Sequence, residues 1–292
     1  MAESKIPVDL FNPGQVFACL GFMELADVLL GDAEAGFDWS DKAQAKFHLC
    51  AAGQKNPFEA ALDFLKAATV KPVRPAGVDG PWPQDAIETG EFPAPRSELL
   101  DSIGKKLTAC ALPIFLEDKE RNFNVSNWLE GDKRKALKLF AGKQVAAKLM
   151  MNVLYGDSTK KGTIGVRQLT PTPDNPFEAG PVGGRFGFDS RGAWDAINTG
   201  SSLDEQGATL LVSPAVEALA VIGLEHTRPE FLSTYEIRYA VWQGRIPNSL
   251  VRAVFTQPRG LVPRGHYRCF RAHLGDDKQY KKCFPAKEEL SK

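Results

Sequence analysis

The sequence predicts a mixed α+β fold, in which an N-terminal part of helices and strands is followed by a more strand-rich C-terminal part. The evidence is of two kinds: helix-capping phrases followed by apolar stretches at residues 13–30 and 56–68, and period-two alternation at 46–51, 235–242 and 267–274. With 292 residues, 43% of them hydrophobic, the chain can bury one large core or two smaller ones. We therefore expect a globular protein.

The first helix is expected from Pro13 to Leu30. Asn12 suits the N-cap position, Pro13 is favoured at the first helical position, and Gly31 ends the helix. The apolar residues of this segment lie on nearly all sides of the helix, which predicts a helix buried inside the core. They are Val16, Phe17, Leu20, Phe22, Met23, Leu25, Val28 and Leu29.

A strand and a capped helix are expected next. Residues 46–51 alternate polar and apolar side chains, as a half-buried strand does. The phrase Asn56-Pro57-Phe58-Glu59 combines an N-cap, a first-turn proline and an acidic residue at the third helical position. It predicts a helix that runs to about Ala68.

A proline-rich excursion and two further elements complete the first half. Residues 71–96 carry six prolines, a density at which we expect neither a helix nor a central strand but a long surface excursion. Residues 109–116 predict a buried strand that Pro113 interrupts. Residues 132–154 predict the longest helix of the chain, with one apolar side and a basic surface.

A second proline-rich stretch, residues 169–181, is the candidate linker. It separates a predicted N-terminal α+β domain, residues 1–168, from a strand-rich basic C-terminal domain, residues 182–292. The elements expected in the C-terminal domain are a helix that Ser213-Pro214 starts and that runs through Val221, a hairpin of strands at 235–242 and 249–255, and a further strand at 267–274.

The formal net charge of zero is the sum of four blocks of alternating sign. Residues 1–118 carry 10 Lys and Arg against 18 Asp and Glu, and residues 168–227 carry 2 against 8. Residues 119–167 and 228–282 each carry 11 against 4. Because local fields act within about 8–10 Å at physiological salt, the basic blocks can attract a polyanion despite the neutral total. Nucleic acid is the expected partner, and acidic protein surfaces are the alternative.

The C-terminal basic block mixes arginines with aromatic residues. Guanidinium groups bind phosphates in a forked geometry and aromatic rings stack on unpaired bases, so this mixture favours a nucleic-acid groove. The alternative is a twisted sheet with a charged outer face and aromatic side chains packed inside. The residues concerned are Arg238, Arg245, Arg252, Arg264, Arg268, Arg271, Tyr235, Tyr239, Trp242, Phe255, Tyr267 and Phe270.

Signals of catalysis or metal binding are weak. His266, Cys269, His273 and Cys283 offer four possible zinc ligands within 18 residues, but structural zinc sites usually present two close pairs, so no metal is expected. The glycine cluster at 180–187 lacks the helix start of a phosphate-binding loop. With four histidines and no GxSxG or HExxH spacing, we expect no enzyme and no cofactor. A thiol or metal enzyme built on the His/Cys cluster is the catalytic alternative.

The cysteines and the N-terminal residues bear on the compartment. Five cysteines are scattered in apolar contexts, which is typical of reduced thiols in a core. Residues 1–15 lack a basic region followed by an apolar stretch, and no later run approaches 18 apolar residues. We therefore expect neither export nor membrane insertion, and a cytoplasmic location.

Three stretches of the sequence resemble one family. Residues 6–39, IPVDLFNPGQVFACLGFMELADVLLGDAEAGFDW, look like the start of small proteins encoded in type I-U (also called I-G) CRISPR interference operons. In that group a VDxxNPGQxxAxxGxxELAD-like phrase precedes a GFxW segment. Residues 185–207, RFGFDSRGAWDAINTGSSLDEQG, and 213–229, SPAVEALAVIGLEHTRP, are similar to phrases of the same group. Together the three cover about a quarter of the chain.

The resemblance implies a subunit of an RNA-guided surveillance complex (Cascade), in the slot of the large subunit. In such complexes the large subunit contacts the PAM duplex and the displaced DNA strand and helps to recruit the helicase-nuclease. The implied partners are guide RNA, target DNA and the other Cascade backbone subunits. This chain is much shorter than typical large subunits and shows no obvious C-terminal helical bundle. A backbone-type subunit that binds guide RNA, or a scaffold subunit, is therefore the alternative.

In the expected mechanism, base pairing by the guide reads the sequence, while the protein grips nucleic-acid backbones by charge. For Arg185 and Arg191, an ion pair with Asp189 or Asp195 is the alternative to contact with a DNA base. Ten basic residues are the candidates for nucleic-acid contact: Lys160, Lys161, Arg167, Arg185, Arg191, Arg245, Arg252, Arg264, Arg268 and Arg271.

Overall fold

The computed structural model describes residues 1–41, 43–77, 86–89, 114–119, 121–125, 137, 139, 146–193, 210–275 and 282–289. Helices and strands alternate through these residues, so the predicted α+β class is confirmed. The α-helices in the described ranges are α1 (Pro13–Leu30), α2 (Pro57–Ala67), α3 (Ala146–Tyr155), α4 (Val166–Leu169), α5 (Pro214–Gly223) and α6 (Asn248–Thr256).

The strands of the described segments form four sheets. In chain order they are β1 (Ala2–Val8), β2 (Glu34–Asp38), β3 (Ala45–Ala51), β4 (Thr69–Pro75), β5 (Ile87–Thr89), β6 (Ile114–Glu117), β7 (Asn122–Val125), β8 (Gly180–Pro181), β9 (Leu211–Val212), β10 (Glu230–Ser233), β11 (Glu236–Trp242), β12 (Ile246–Pro247), β13 (Tyr267–His273) and β14 (Lys287–Glu288). The sheet orders are β1-β3-β2-β12, β10-β11-β13-β14, β5-β4-β6-β7 and β8-β9. All pairs are antiparallel except β4 with β5.

The central helix α1 begins and ends where the sequence predicts. The Asn12 side chain accepts a hydrogen bond from the Gln15 N–H at its N-terminus, and Gly31 takes a positive φ of 89° at its C-terminus. By length and composition alone α1 is apolar enough to cross a membrane, but 72% of it is buried inside the fold. It is the core helix that its apolar residues predict.

Helix α5 packs directly against α1 because glycines let the two backbones approach. A Cβ atom on Gly21 would overlap the carbonyl oxygen of Leu219, and one on Gly223 would overlap the Phe17 carbonyl oxygen and the Gly21 nitrogen. Ser213, the N-cap residue of α5, accepts a hydrogen bond from the Val216 N–H at 3.2 Å. Both helices are therefore fixed deep in the core.

Strand β11 joins the C-terminal residues to the same core. The Tyr239 ring stacks on the rings of Phe255 and Phe270, at 5.9 and 5.6 Å between centroids. Its hydroxyl donates to the Leu10 carbonyl at 2.9 Å, and the Trp242 indole N–H donates to the Ala35 carbonyl at 2.9 Å. These four aromatic side chains are fully buried. Their burial agrees with the alternative interpretation of the sequence, in which the aromatic side chains of the C-terminal basic block pack inside the fold.

The predicted hairpin of residues 235–242 and 249–255 is wrong in its second strand. Residues 248–256 form helix α6, while β11 pairs with β10 and β13. The buried residues of α6 are Val251, Val254 and Phe255, which follow the i, i+3, i+4 spacing of a helix face. Burial of that face against the core outweighs the strand propensity of the valines.

The expectation that no central strand lies in residues 71–96 is also wrong. Strand β4 lies between β5 and β6, although it contains Pro72 and Pro75. Residues 69–72 pair with β6 and residues 73–75 pair with β5. Each proline is thus the last residue of a short ladder, where a missing N–H costs least.

Two other predicted elements are described in part. Strand β6 covers the end of the predicted strand at 109–116, and Leu116 is buried in it. Helix α3 covers the end of the predicted helix at 132–154. Residues 109–113 and most of 132–145 lie outside the described residues.

Segments on both sides of the predicted linker at 169–181 pack into one hydrophobic core. Helix α1 lies against α5, and strand β12 pairs with β2. The buried cluster runs from Ile6 to Ala286. The division into domains 1–168 and 182–292 stays a prediction.

Candidate functional site

A buried polar network joins the loop before α1 to the residues before α5. The Asp189 carboxylate accepts hydrogen bonds from the Asn12 side-chain amide at 2.9 Å and from the Ser213 N–H at 2.8 Å. It also forms an ion pair with Arg191, whose Nη2 lies 2.7 Å from Asp189 Oδ2. Asn12 in turn accepts from the Ser190 N–H at 3.2 Å. Because the Asp189 side chain is fully buried, each of these donors offsets part of its desolvation cost.

Glu217 extends the network from α5. Its two carboxylate oxygens accept the N–H groups of Gly187 and Asp189 at 2.7 and 3.0 Å. Complete burial raises the pKa of this carboxyl, while the Asp189 N–H and the charge of Arg185 oppose that rise. The network therefore fixes residues 187–189 against two core helices.

An open pocket of about 590 Å³ lies beside this network. Arg191 belongs to both, because it is paired with Asp189 and also lines the pocket. The pocket wall comes from the end of β1, the β2–β3 turn, the loop before Phe177 and strand β13. Its residues are Pro7, Val8, Asp9, Leu10, Phe11, Gln15, Trp39, Asp41, Ala43, Gln44, Ala45, Asn175, Pro176, Phe177, Arg191 and Arg268.

The pocket combines aromatic rings with guanidinium groups. The Arg268 guanidinium carbon lies 4.9 Å from the centroid of the Trp39 ring, a cation–π arrangement. The Nε atom of Arg268 also lies 3.6 Å from a carboxylate oxygen of Glu288. Phe11 is 47% exposed, although its ring packs against that of Phe270 in a T-shaped pair with 5.4 Å between centroids. Such a surface offers planar groups to a ligand that stacks.

Gln15 contributes the most buried polar side chain of the pocket wall, at 9% exposure. Its Oε1 atom accepts the Asp9 N–H at 2.8 Å, which identifies Nε2 as the free end of the amide. Among the residues that the structure describes, Nε2 has no hydrogen-bond acceptor. The pocket therefore contains an unused donor held in a fixed position.

Of the ten predicted site residues, the structure brings Arg191 and Arg268 to this pocket. Arg191 follows the ion-pair alternative with Asp189, and its Nη2 also donates to the Phe177 carbonyl at 3.0 Å. Arg185 does not line the pocket. Its Nη2 donates to the Gly192 carbonyl at 3.1 Å, which closes the turn that follows Asp189.

Other predicted arginines are engaged in ion pairs or in holding the backbone. Arg245 pairs with Glu3 at 2.8 Å, and Arg271 pairs with Glu289 at 2.8 Å and Glu236 at 3.5 Å. Hydrogen bonding to Glu289 raises the pKa of Arg271. Arg167 donates to the carbonyls of residues 66–68, the C-terminal end of α2. These contacts stabilise the fold and neutralise part of the predicted basic surface.

The remaining four predicted residues are exposed and separate from the pocket. Lys160 donates to the Gly183 carbonyl at 2.9 Å. The Lys161 and Arg252 side chains make no hydrogen bond or ion pair with any other residue in the described ranges. Arg264 is exposed as well. Those four cations are dispersed over α6 and two loops, so the ten residues do not form one contiguous patch.

The structure groups no metal-binding side chains at His266, Cys269, His273 and Cys283. Within the described residues no set of three or more His, Cys, Asp or Glu side chains is arranged to hold a metal ion. His266 and His273 are exposed, whereas Cys283 is fully buried and donates its backbone N–H to the Gly187 carbonyl. Burial raises the pKa of the Cys283 thiol well above its usual range, as it does for Cys19, so both stay protonated.

Three aromatic residues line the pocket, and none was predicted as a site residue; Phe177 is buried, whereas Trp39 and Phe11 are partly or largely exposed. Trp39 is the last residue of the resembling phrase 6–39. Phe11 directly precedes Asn12, the N-cap residue of α1. An exposed aromatic beside a helix cap and a tryptophan beyond a strand end are the local signals that could have identified them. Neither signal indicates that the two rings and Arg268 lie at one pocket.

In comparisons with known proteins, no family model, curated protein or solved structure matches this chain.

Proposed function

We propose that this chain is a non-catalytic nucleic-acid-binding subunit of a type I-U-like RNA-guided interference complex. In that role it contacts the PAM duplex or the displaced DNA strand and helps to recruit the helicase-nuclease. Its partners are guide RNA, target DNA and the other subunits of the complex, in the cytoplasm. Guide pairing reads the sequence, and the protein contributes backbone contacts and a few side chains.

One observation carries the proposal: the three resembling phrases meet in the buried network beside the pocket. Asn12 comes from residues 6–39, Asp189 from residues 185–207, and Ser213 from residues 213–229. Residues 40–184 separate the first phrase from the other two, so local structure does not account for its contact with them. Residues 6–39 also supply seven wall residues of the pocket, including Trp39 and Gln15. The resembling residues thus build one site, and this supports a shared function.

The chemistry of the pocket favours unpaired nucleotides over duplex. Aromatic faces stack on bases that no longer stack on each other, and a guanidinium plane can do the same. Because half of the predicted arginines, namely Arg191, Arg245, Arg268 and Arg271, are already paired with carboxylates, we expect contact with few phosphates. The displaced DNA strand and the single-stranded ends of guide RNA both offer the required ligand.

Salt-dependent binding tests the proposal. The purified chain is titrated into fluorescein-labelled single-stranded DNA, single-stranded RNA and duplex DNA at several salt concentrations. For the single strands we expect a log–log slope of about −1.5 to −3, which corresponds to two to four phosphates at about 0.7 each. Absence of binding at low salt, or a slope near zero, would contradict nucleic-acid binding.

Membership of the complex needs a separate experiment. A tagged chain is expressed from its own chromosomal locus in the source organism, and the RNA that co-purifies with it is sequenced. We expect short RNAs of uniform length that carry a common repeat-derived end. Co-purification with the partner subunits but without RNA or DNA would instead support the scaffold alternative, which the many paired arginines favour.

A further inference from the structure

We propose that the pocket beside Arg191 holds a single unpaired nucleobase. This inference rests on the proposed function, because it names the part of the nucleic acid that the site binds. It follows from four properties of the pocket: its volume, its stacking surface, an unpaired hydrogen-bond donor on its wall and its charge.

The volume suits a base with part of its sugar. Pockets that bind small molecules usually measure about 300–1,000 Å³, and this one measures about 590 Å³. A duplex or a peptide helix is too wide to enter a pocket of that size. A nucleotide that has left its stack enters one base at a time.

The stacking surface is formed by Trp39 and Arg268. The guanidinium group lies 4.9 Å from the centroid of the indole ring, and its ion pair with Glu288 at 3.6 Å restrains it there. Phe11, at 47% exposure, supplies a second aromatic ring at the same pocket. Planar groups of this kind gain energy from any base, because every base has a π face.

Gln15 supplies the contact to the edge of the base. Its side chain is nine-tenths buried and its Oε1 atom is occupied by the Asp9 N–H. The Nε2 group has two N–H donors and no acceptor among the described residues. Nε2 is not among the fully buried side-chain atoms that lack a partner, so it faces the open pocket. A ring nitrogen or carbonyl oxygen of a base can accept a hydrogen bond from it in place of water.

The charge of the pocket favours a neutral polar ring over a polyanion. Arg191 and Arg268 are balanced in the wall by Asp9 and Asp41, so the formal charge of the wall is zero. Arg191 is in addition held by the buried carboxylate of Asp189. The ligand that fits this wall is therefore the base, with its phosphates directed toward solvent.

Two arginines of strand β13 give a matched test. Arg268 lines the pocket, whereas Arg271 lies three residues away, is exposed, and pairs with Glu289 instead. Binding of Arg268→Ala and Arg271→Ala to a fluorescein-labelled 15-nucleotide mixed-sequence single strand is compared with that of the wild type. We expect Arg268→Ala to weaken binding about 2- to 10-fold, as loss of a cation–π contact does. We expect Arg271→Ala to change it less than about 2-fold.

Trp39 variants test the stacking directly. We expect Trp39→Ala to weaken binding about 5- to 100-fold at every salt concentration, with an unchanged salt slope, because stacking is not electrostatic. Trp39→Phe keeps a ring and should retain most of the affinity. Circular dichroism establishes that each variant is folded. Should Trp39→Ala fail to fold, the comparison of Arg268→Ala with Arg271→Ala still decides the question.

Photocrosslinking identifies the residues that touch the base. An oligonucleotide that contains 5-iodouracil is irradiated in complex with the wild-type chain, and the crosslinked peptides are mapped by mass spectrometry. Crosslinks to Trp39 or Phe11 are expected. If the chain binds the strand but Arg268→Ala matches Arg271→Ala and the crosslinks lie elsewhere, the pocket proposal is overturned while the proposed function stands. If the wild type binds no single strand, both proposals fall.

Discussion

At the scale of single residues, Asn12 links a helix cap to the buried network. Its side-chain oxygen accepts the Gln15 and Ser190 N–H groups, and its amide donates to Asp189. Asn56 is the matching cap of α2, where the side chain accepts the Phe58 N–H at 3.0 Å. Asn12 is 1% exposed, whereas Asn56 is partly exposed. Both asparagines cap the N-terminus of a helix, but Asn12 does so within a buried network and Asn56 at a partly exposed position.

The two caps should therefore differ in their effect on stability. We expect Asn56→Ala to lower the free energy of unfolding by about 1 kcal/mol, the usual value of a helix cap. Asn12→Ala should lower it by about 2–4 kcal/mol, because it also leaves the Ser190 N–H and the Asp189 carboxylate short of a partner. Urea denaturation of both variants measures the difference. Equal losses would mean that Asn12 acts as a cap alone.

His226 is a second residue whose effect on stability depends on its surroundings. Its Nδ1 atom lies 3.5 Å from Glu24 Oε2, and this hydrogen bond raises the pKa of His226 above 6.5 although partial burial opposes the rise. A histidine with a raised pKa stabilises the fold fully below its unfolded pKa. The stabilisation is lost as the pH rises from 6.5 through the folded pKa.

A His226→Gln variant should reveal that pH dependence. We expect it to be less stable than the wild type at pH 5.5, and the difference to vanish on the alkaline side of the folded pKa. Urea midpoints measured from pH 5.5 to 9 test the prediction. His266→Gln, at an exposed histidine, is the control for the substitution itself. A constant difference for His226→Gln would contradict the proposed ion pair.

At the scale of elements, the α1–α5 contact depends on a missing side chain. The backbone carbonyl of Leu219 occupies the position that a Cβ atom of Gly21 would need. A carbonyl inside a buried helix cannot move without shifting the whole helix. The close packing of two apolar helices is therefore specified by a small residue on each.

Gly21→Ala should be strongly destabilising. We expect a loss of about 3 kcal/mol or more, because the added methyl group overpacks the contact between two buried backbones. Gly53→Ala is the control: Gly53 has a positive φ of 83°, and a Cβ atom there meets nothing within 4 Å. Its cost should be limited to about 1–2 kcal/mol of backbone strain. Thermal or urea unfolding distinguishes the two, and similar losses would argue against the helix contact.

At the scale of the whole molecule, residues on both sides of 169–181 share one core. Strand β12 adds to the N-terminal sheet, and the side chains of Tyr239 and Trp242 donate hydrogen bonds to Leu10 and Ala35. Separating the two halves would expose the apolar faces of α1 and α5 to water. That exposure opposes independent folding.

We accordingly expect one cooperative unfolding transition for the full chain. Tryptophan fluorescence and far-ultraviolet circular dichroism should give coincident urea curves. The separate fragments 1–168 and 182–292 should each lack a cooperative transition. Two resolved transitions, or a fragment that folds alone, would instead support the two-domain organisation predicted from the sequence.

The fold also changes what the blocks of charge imply about the protein surface. The sequence places acidic and basic residues in separate blocks, and the fold then brings some of them together, as in the pair of Arg245 with Glu3. Arg268 and Arg271 reach the glutamates of the C-terminal residues. The surface that a nucleic acid meets is therefore less basic than the blocks suggest.

The sequence by itself determined the elements whose signals are local. The caps at Asn12, Asn56 and Ser213 predict the starts of α1, α2 and α5, because a cap and its helix lie within a few residues. Alternation likewise predicts β3, β11 and β13, since a strand with one buried face repeats every two residues.

Tertiary structure alone decided the rest. Burial of Val251, Val254 and Phe255 stabilises α6 as a helix. Strand β4 tolerates its prolines because its pairing changes from β6 to β5 at Val73. The pocket joins Gln15, Trp39 and Arg268 from distant parts of the chain, and the ion pairs decide which arginines stay available to a ligand. Pairing and burial are relations between residues far apart in sequence. Their free energies arise only when packing brings those residues together and removes water from them.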